Sequence, residues 1–407
     1  MLRILIIGKV WPEPSSTAAG RHSLDLIQSL RSAGWELHFA SAAQLGPHSL
    51  DLEMQQVRSH RIELNHASFD TWLQALAPDV VIFDRFMTEE QFGWRVEQYC
   101  PEALRVLDTS DLHCLREARQ MQLKRGGDLN LFNDMALREI AAILRSDLTL
   151  MISEYEIDIL QQSFGVPAGQ IAYWPFGVDT PALDAPSFEA RQHFIMIGSF
   201  QHAPNLDAAR WCQQQIWPLI RQALPQVEMH CYGSYGERYA GELHAPKRGF
   251  HFKGRAADAL PCMRQYRVNL APLRFGAGLK GKLFDGFESS TPSVTTPIGV
   301  EGIVTDAAAW GCLISDQAQD FAQTAILLYQ DAAKWHSVQS HGRRLAMQRF
   351  DRSYWARRLP QLIEAARARQ GANRQRHFMG RMLRHHQHRS TEFMSRWIEA
   401  KNGSSAG

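Results

Sequence analysis

The chain has 407 residues but no C-x-x-C pair, no Asp-x-Asp pair and no long apolar run. Its six cysteines, Cys100, Cys114, Cys212, Cys231, Cys262 and Cys312, are scattered. Such spacing argues against a zinc site and against a disulfide framework, and the cysteines read as small core residues in a reducing compartment. No stretch reaches the roughly 18 consecutive apolar residues that a membrane-crossing helix needs. Met1–Gly8 is apolar but too short for a signal peptide's apolar region, and no cleavage pattern follows it. Charge of one sign is also missing: the formal net charge is +2, so bulk charge points to neither nucleic acid nor an acidic partner.

What is present suits two cores. Hydrophobic residues make up 45% of the chain, and its length exceeds one ordinary domain. Short β-rich runs alternate with longer helical patterns. Strands are expected at Leu2–Gly8, Trp35–Ala42, Val80–Asp84, Leu104–Asp108 and Leu148–Ser153. A second series is expected at Phe194–Phe200, Val227–Tyr232, Phe250–Phe252, Val268–Pro272, Ser293–Thr296 and Cys312–Ser315. Helices are expected between them, for example at Gly20–Ala33 and Phe132–Arg145. Alternation of this kind gives parallel sheets covered by helices, here an α/β chain of two facing Rossmann-like domains. The expected boundaries are 1–175, 186–345, and a tail of C-terminal helices over 346–407. The linker is placed at Trp174–Ala185, where Pro and Gly interrupt both periodicities. Ligands of open α/β sheets bind outside the carboxyl ends of strands, so function should sit in strand-to-helix loops.

The segment Leu270–Ile303, LAPLRFGAGLKGKLFDGFESSTPSVTTPIGVEGI, carries the most chemistry. A strand ends near Pro272, a Gly-rich loop Arg274–Gly278 follows, and a helix should start at Leu279 or Lys280. Free N–H groups at a helix start attract phosphate, and glycines let backbone approach it. Lys280 and Lys282 in the first turn oppose the helix dipole unless an anion is present. Asp285, further along, suits ribose hydroxyls. Together these read as a nucleotide-diphosphate site.

This segment resembles the donor-binding region of the group 1 glycosyltransferases, a retaining family with the GT-B fold. The resemblance rests on Ala271–Gly278, Lys280–Lys282, Pro292, Thr295–Pro297, Gly299 and Glu301–Gly302. Ile197–Asn205, Phe252–Arg255 and Phe176–Asp179 add weaker matches, with Phe176 where the family has Asn. It implies donor contacts at Ala19, Gly20, Arg255, Arg274, Gly276, Gly278, Leu279, Lys280, Lys282, Asp285 and Glu301. It also implies that His113 of Asp111-Leu112-His113 lies against the donor sugar, with a nearby carboxylate fixing its tautomer. His113, Asp111 and Lys282 are thus the expected catalytic set. Two departures stand out. The family's paired glutamates fall at Ala277 and Asp285, and its phosphate-binding Arg and Lys fall at Ser199 and Pro204.

Acceptor contacts are expected at Arg85, which ends a strand, and at Arg119 and Lys124 in a flexible loop over Arg116–Asn130. The tail carries Arg367, Arg369, Arg374, Arg376, Arg381, Arg384 and Arg389 without acidic residues, interleaved with Phe378, Met379, Met382 and Leu383. Such a helix either contacts an anionic membrane surface or packs across the two domains. The resemblance implies transfer of a sugar from a nucleotide-sugar donor to a glycan, lipid-linked or other hydroxyl acceptor. It implies retention, no cofactor and no active-site metal, and a cytoplasmic protein, peripheral at the inner face of the membrane, in cell-surface polysaccharide assembly. A degenerate member that binds a nucleotide sugar or a partner without turnover, and a sugar-nucleotide epimerase, are the alternatives.

Overall fold

The computed structural model describes residues 1–180, 185–304, 310 and 314–404. Seven strands form the first sheet: β1 (Arg3–Gly8), β2 (Glu36–Ser41), β3 (Arg58–Arg61), β4 (Val80–Asp84), β5 (Leu104–Asp108), β6 (Leu148–Met151) and β7 (Ile171–Tyr173). Their order is β3-β2-β1-β4-β5-β6-β7, with every pairing parallel. Five more form the second: β8 (Gln192–Ile197), β9 (Met229–Tyr232), β10 (Phe250–Gly254), β11 (Tyr266–Ala271) and β12 (Ser293–Thr295). Their order is β10-β9-β8-β11-β12, again parallel.

Burial on both faces explains why the central strands read as unbroken apolar runs. In the first sheet Leu5, Ile7, Val81 and Phe83 pack on one side, and Ile4, Ile6, Val80 and Ile82 on the other. In the second, Phe194, Met196, Met229 and Val268 meet Trp217, Phe321 and Trp335 from the covering helices. Cys114, Cys212 and Cys231 are unpaired and buried, as expected of small core residues, and Cys100 and Cys262 are unpaired and half-buried.

Two strands escaped the sequence reading. β3, RSHR, is a polar edge strand with no hydrophobic signal, and β7 is three residues long. The expected loop at Arg116–Asn130 is instead helical through Arg125. The expected strand at Cys312–Ser315 falls mostly outside the described residues.

The chain crosses between the domains twice, side by side. Val178 bridges Asp351 in parallel, and Arg352 then reaches Asp25, Asp179 and Glu288. The helix Arg352–Arg376 returns across the first sheet and packs on Ala18–Ser32, burying Leu359 and Ile363 fully. Each such side chain contributes about 1.5–3 kcal/mol. The helices Phe378–Leu383 and Arg389–Ser404 follow it onto the same domain. Gly380 is needed there, because a Cβ would stand 2.1 Å from the Leu144 carbonyl. Several basic tail residues turn inward: Arg374 grips Asp147, Arg384 pairs with Glu97, and His388 lies between Glu89 and Glu97. The tail therefore packs on the N-terminal domain rather than across both. Its outer face keeps Phe378, Met379, Met382, Phe393, Met394 and Trp397 exposed.

Candidate functional site

Each sheet reverses strand order once, between β1 and β4 and between β8 and β11. Loops at such switch points open a crevice. Here the two crevices face each other and enclose one cleft of about 800 Å³. Its walls are the loop after β1, the ends of β4 and β5, the loop after β8 and the loop after β11.

On the C-terminal wall, the loop turns on two glycines in left-handed backbone, Gly276 (φ 152°) and Gly278 (φ 65°). The helix Gly281–Glu288 begins with Lys280 as its N-cap. Lys280 and Lys282 both line the cleft. Lys280 Nζ donates to the Gly278 carbonyl, and Lys282 Nζ donates to Asn205 Oδ1 at 2.6 Å. Burial pushes both ammonium groups down, Lys282 to about 8. Two cations at a helix start, Lys280 buried and Lys282 half-buried, form a site that gains by receiving an anion.

On the opposite wall, the helix Ala18–Ser32 also presents its N-terminus. A Cβ on Gly281 would come 2.5 Å from Ala18 Cβ, so the two helix starts nearly touch. Ala19 lines the cleft as expected. Gly20 does not: it lies against the backbone of Glu13, where a Cβ would come within 2.4 Å, and serves packing. Arg21, which sequence reasoning passed over, reaches across to Asp285 at 2.5 Å. Asp285 faces the cleft, its carboxyl raised by burial against the opposing pull of Arg21.

His113 lines the cleft at the N-terminus of its helix. Its Nδ1 meets Glu139 Oε1 at 3.1 Å and the Asp111 carbonyl at 3.2 Å. Two acceptors hold a proton on Nδ1, so in that tautomer Nε2 is an acceptor for a hydroxyl. The orienting carboxylate is Glu139, not Asp111, which Arg116 engages. Glu139 also accepts the backbone N–H of His113 (3.0 Å) and Cys114 (2.9 Å), so one buried carboxylate holds both the helix start and the ring. Against the effect of burial, Arg116, then His113 and His202, hold the Asp111 carboxyl far below the usual range.

Several expected contacts resolve differently. Arg274 is taken by Asp207 (3.0 and 2.5 Å) and stacks over Trp211, so it does not reach the cleft. The Gly278 N–H, expected to face the sugar, already donates to Glu156 at 2.6 Å. Glu156 is buried beside Asp111, and that burial raises its carboxyl. Glu301 does not line the cleft, because Arg119 grips both its oxygens at 2.6 and 2.7 Å. Arg119 also donates to the Gly276 carbonyl at 2.8 Å, so it latches the domains rather than contacting an acceptor. Lys124 sits in the last turn of that helix, away from the cleft. Arg255 reaches Ser15 across the domain boundary at 2.8 Å, while Ala256 beside it lines the cleft. Arg85, Leu279 and Gly276 line it.

The cleft includes further groups that the sequence did not single out. Lys9 and Arg116 add cationic charge near Arg85. His202 is open to the cleft yet enclosed by its walls; this enclosure, then Arg116, holds it neutral down to about 4. The hydroxyls of Ser16 and Ser199, both residues of the cleft wall, have no hydrogen-bond partner among the described residues.

Residues 191–331 match the model of a family described as group 1 glycosyl transferases. No curated protein sequence matches the chain. Among solved structures, the sucrose-phosphate synthase of Thermosynechococcus elongatus superposes with a TM-score of 0.69 at 16% identity, over 90% of this chain and 100% of that one. Anabaena HepE in complex with UDP-glucose gives 0.66 at 15% identity, over 90% and 100%. The pneumococcal O-GlcNAc transferase GtfA in complex with UDP and GlcNAc gives 0.57 at 16% identity, over 73% and 59%. The chain therefore has the two-domain GT-B fold, and its second domain carries a group 1 glycosyl transferase match.

Proposed function

We propose that the protein transfers a glycosyl group from a nucleoside-diphosphate sugar to a hydroxyl acceptor. The observation that carries this reading is the lysine pair at the Gly281–Glu288 helix start, Lys280 buried and Lys282 half-buried, inside the cleft and within the segment that matches the family. The diphosphate would lie across Lys280, Lys282 and the helix N–H groups, facing the Ala18–Ala19 helix start. Developing charge on the leaving diphosphate is then met by groups already in place. Asp285 would take ribose hydroxyls, and His113 Nε2 a hydroxyl of the donor sugar. Arg85, Lys9 and Arg116 would face the acceptor. Because the cations and helix dipole supply the positive charge, turnover should persist in a chelator. Front-face attack by the acceptor, with the leaving phosphate taking its proton, would retain anomeric configuration.

The solved relatives named with UDP, UDP-glucose and GlcNAc make uridine donors the first to try. The test is nucleotide release from a panel of nucleotide sugars with glycan and lipid-linked acceptors, on wild type and Lys282→Ala. Acceptor-dependent release that the variant loses supports transfer. Nucleotide binding without release under any acceptor would favour a binding protein, the reading that Ala277 and Ser199 at family-polar positions motivate. Conversion of donor without acceptor would favour an epimerase.

We propose further that the protein works at an anionic membrane surface on the cytoplasmic side. No helix of the described residues is long and apolar enough to cross a membrane. The exposed Phe378, Met379, Phe393 and Trp397 lie among the exposed Arg381, Arg389 and Arg396, the pairing that holds interfacial helices to acidic lipid. Co-flotation with vesicles of acidic lipid, lost in a Phe393→Ser/Trp397→Ser variant, would support it. Equal flotation of that variant would oppose it.

A further inference from the structure

The two sheets carry the same short pattern in the same place. In the first, Glu36-Leu37-His38 lies at the start of β2, beside edge strand β3 with His60. In the second, Glu228-Met229-His230 lies at the start of β9, beside edge strand β10 with His251. Residues two apart on a strand share a face, so each pattern puts a carboxylate and two imidazoles together.

Their surroundings differ. Glu36 is taken by Arg3 (3.1 Å) and Arg58 (2.8 Å), and His38 Nδ1 meets His60 Nε2 directly at 2.9 Å. That cluster is closed by its own partners. No arginine pairs with Glu228 among the described residues, and Lys253 acts on His230 only at a distance. His230 Nε2 lies 2.8 Å from Glu228 Oε2, and His251 Nε2 lies 3.5 Å from Glu228 Oε1. His251 Nε2 is sealed from solvent and has no hydrogen-bond partner. A sealed polar atom without a partner is costly, and a bound ion would satisfy it.

We propose that Glu228, His230 and His251 form a binding site for one divalent ion of the zinc class, outside the cleft. One ligand atom from each residue lies within 4.8 Å of the others. Tetrahedral zinc with bonds near 2.0–2.1 Å sets its ligands about 3.4 Å apart, so small side-chain rotations bring the three into place. Two imidazoles and one carboxylate select zinc, cobalt or nickel over magnesium or calcium. The fourth position is left to water. An outer partner is already set: His230 Nδ1 lies 2.8 Å from the Tyr266 hydroxyl, which lies 2.9 Å from that of Tyr232. On metal binding the His230 proton moves to Nδ1 and is donated to Tyr266, which fixes the ring with Nε2 toward the ion.

The ion would clamp the start of edge strand β10 to β9. β10 leads into Arg255 and Ala256 at the cleft margin, so the clamp would steady that margin without entering the site. No zinc pattern is visible in the sequence, because its cysteines are scattered and His251 is brought beside Glu228 only by strand pairing.

The full chain, freed of metal, is titrated with Zn²⁺ against a chromophoric zinc chelator, and with Co²⁺ for its absorption spectrum. The exposed tail histidines His385 and His386 are a competing locus, so all variants are made on a His385→Ala/His386→Ala background. The expected result is one ion per chain on that background with a tetrahedral cobalt spectrum. Glu228→Gln and His251→Ala should each weaken zinc at least tenfold, and Tyr266→Phe about tenfold. His251→Gln replaces His251→Ala should the latter misfold, and His60→Ala in the first sheet should change nothing. Zinc affinity unchanged in Glu228→Gln and His251→Gln, or binding lost with the tail histidines alone, would overturn the proposal. No outcome depends on whether the protein is a glycosyltransferase.

Discussion

The two walls of the cleft are built by different means. The C-terminal wall is local: Lys280 leans on Gly278, two residues away, and the glycines, lysines and Asp285 fall within one loop and one helix. The N-terminal wall is assembled from a distance. His113 is oriented by Glu139, 26 residues on; Arg119 reaches Glu301 across 182; Arg21 reaches Asp285 across 264. A wall made of one segment shows in the sequence as a motif. A wall made of remote pairs shows only as isolated charged residues, whose roles depend on what the fold sets opposite them.

The largest test of this contrast is Lys282→Ala. Removing a preorganised cation from the leaving-group site should lower turnover about 10²–10³-fold, with the fold intact by circular dichroism. Near-normal turnover would remove the local wall from the chemistry. His113→Ala should lower turnover about 10–100-fold. Glu139→Gln should cost about tenfold through loss of the charged acceptor that orients the ring. If Glu139→Gln matched wild type, the remote orientation of His113 would be irrelevant to the reaction.

A third test uses pH. The free Lys282 ammonium is pushed down to about 8 by burial. A bound diphosphate favours the protonated form and raises that pKa again. Nucleotide affinity should therefore be full below pH 8 and fall as pH rises above it, by up to about tenfold per unit. Calorimetry in buffers of different ionisation enthalpy should show proton uptake near pH 8. Flat affinity from pH 7 to 9 would contradict the lysine site. A fourth compares the two arginines that sequence reasoning assigned to ligands. Arg119→Met removes a buried guanidinium that serves Glu301, the Gly276 carbonyl and the Tyr155 hydroxyl, and should destabilise by about 2–3 kcal/mol in urea unfolding. Arg274→Met, whose partner Asp207 is partly exposed, should change stability by less than about 1 kcal/mol and leave nucleotide affinity unchanged.

How much was legible follows the same division. The central strands were readable because burial on both faces makes them apolar throughout. β3 was not, since an exposed edge strand of sequence RSHR buries almost nothing. Most of the helix His113–Arg125 read as part of a loop over Arg116–Asn130 because its buried flank includes Arg119, whose burial is offset by Glu301, the Gly276 carbonyl and the Tyr155 hydroxyl, all remote in sequence. The tail showed its charge but not its docking. Arg374, Arg384 and His388 are balanced by Asp147, Glu97 and Glu89, far earlier in the chain. Gly20 and Gly278 were read as places where the donor comes close; what comes close in the structure is protein, the Glu13 backbone and the Glu156 carboxylate.

The central claim is that the lysine pair lining the cleft, Lys280 and Lys282, holds a nucleoside diphosphate. Its most direct test is thermal stability with UDP, GDP, ADP and dTDP, each without metal, on wild type and Lys282→Ala. One nucleotide should stabilise the wild type, by about 2.7 kcal/mol at a hundredfold excess over its dissociation constant, and the variant should lose most of that gain. No stabilisation by any of the four, or an equal gain in the variant, would contradict it.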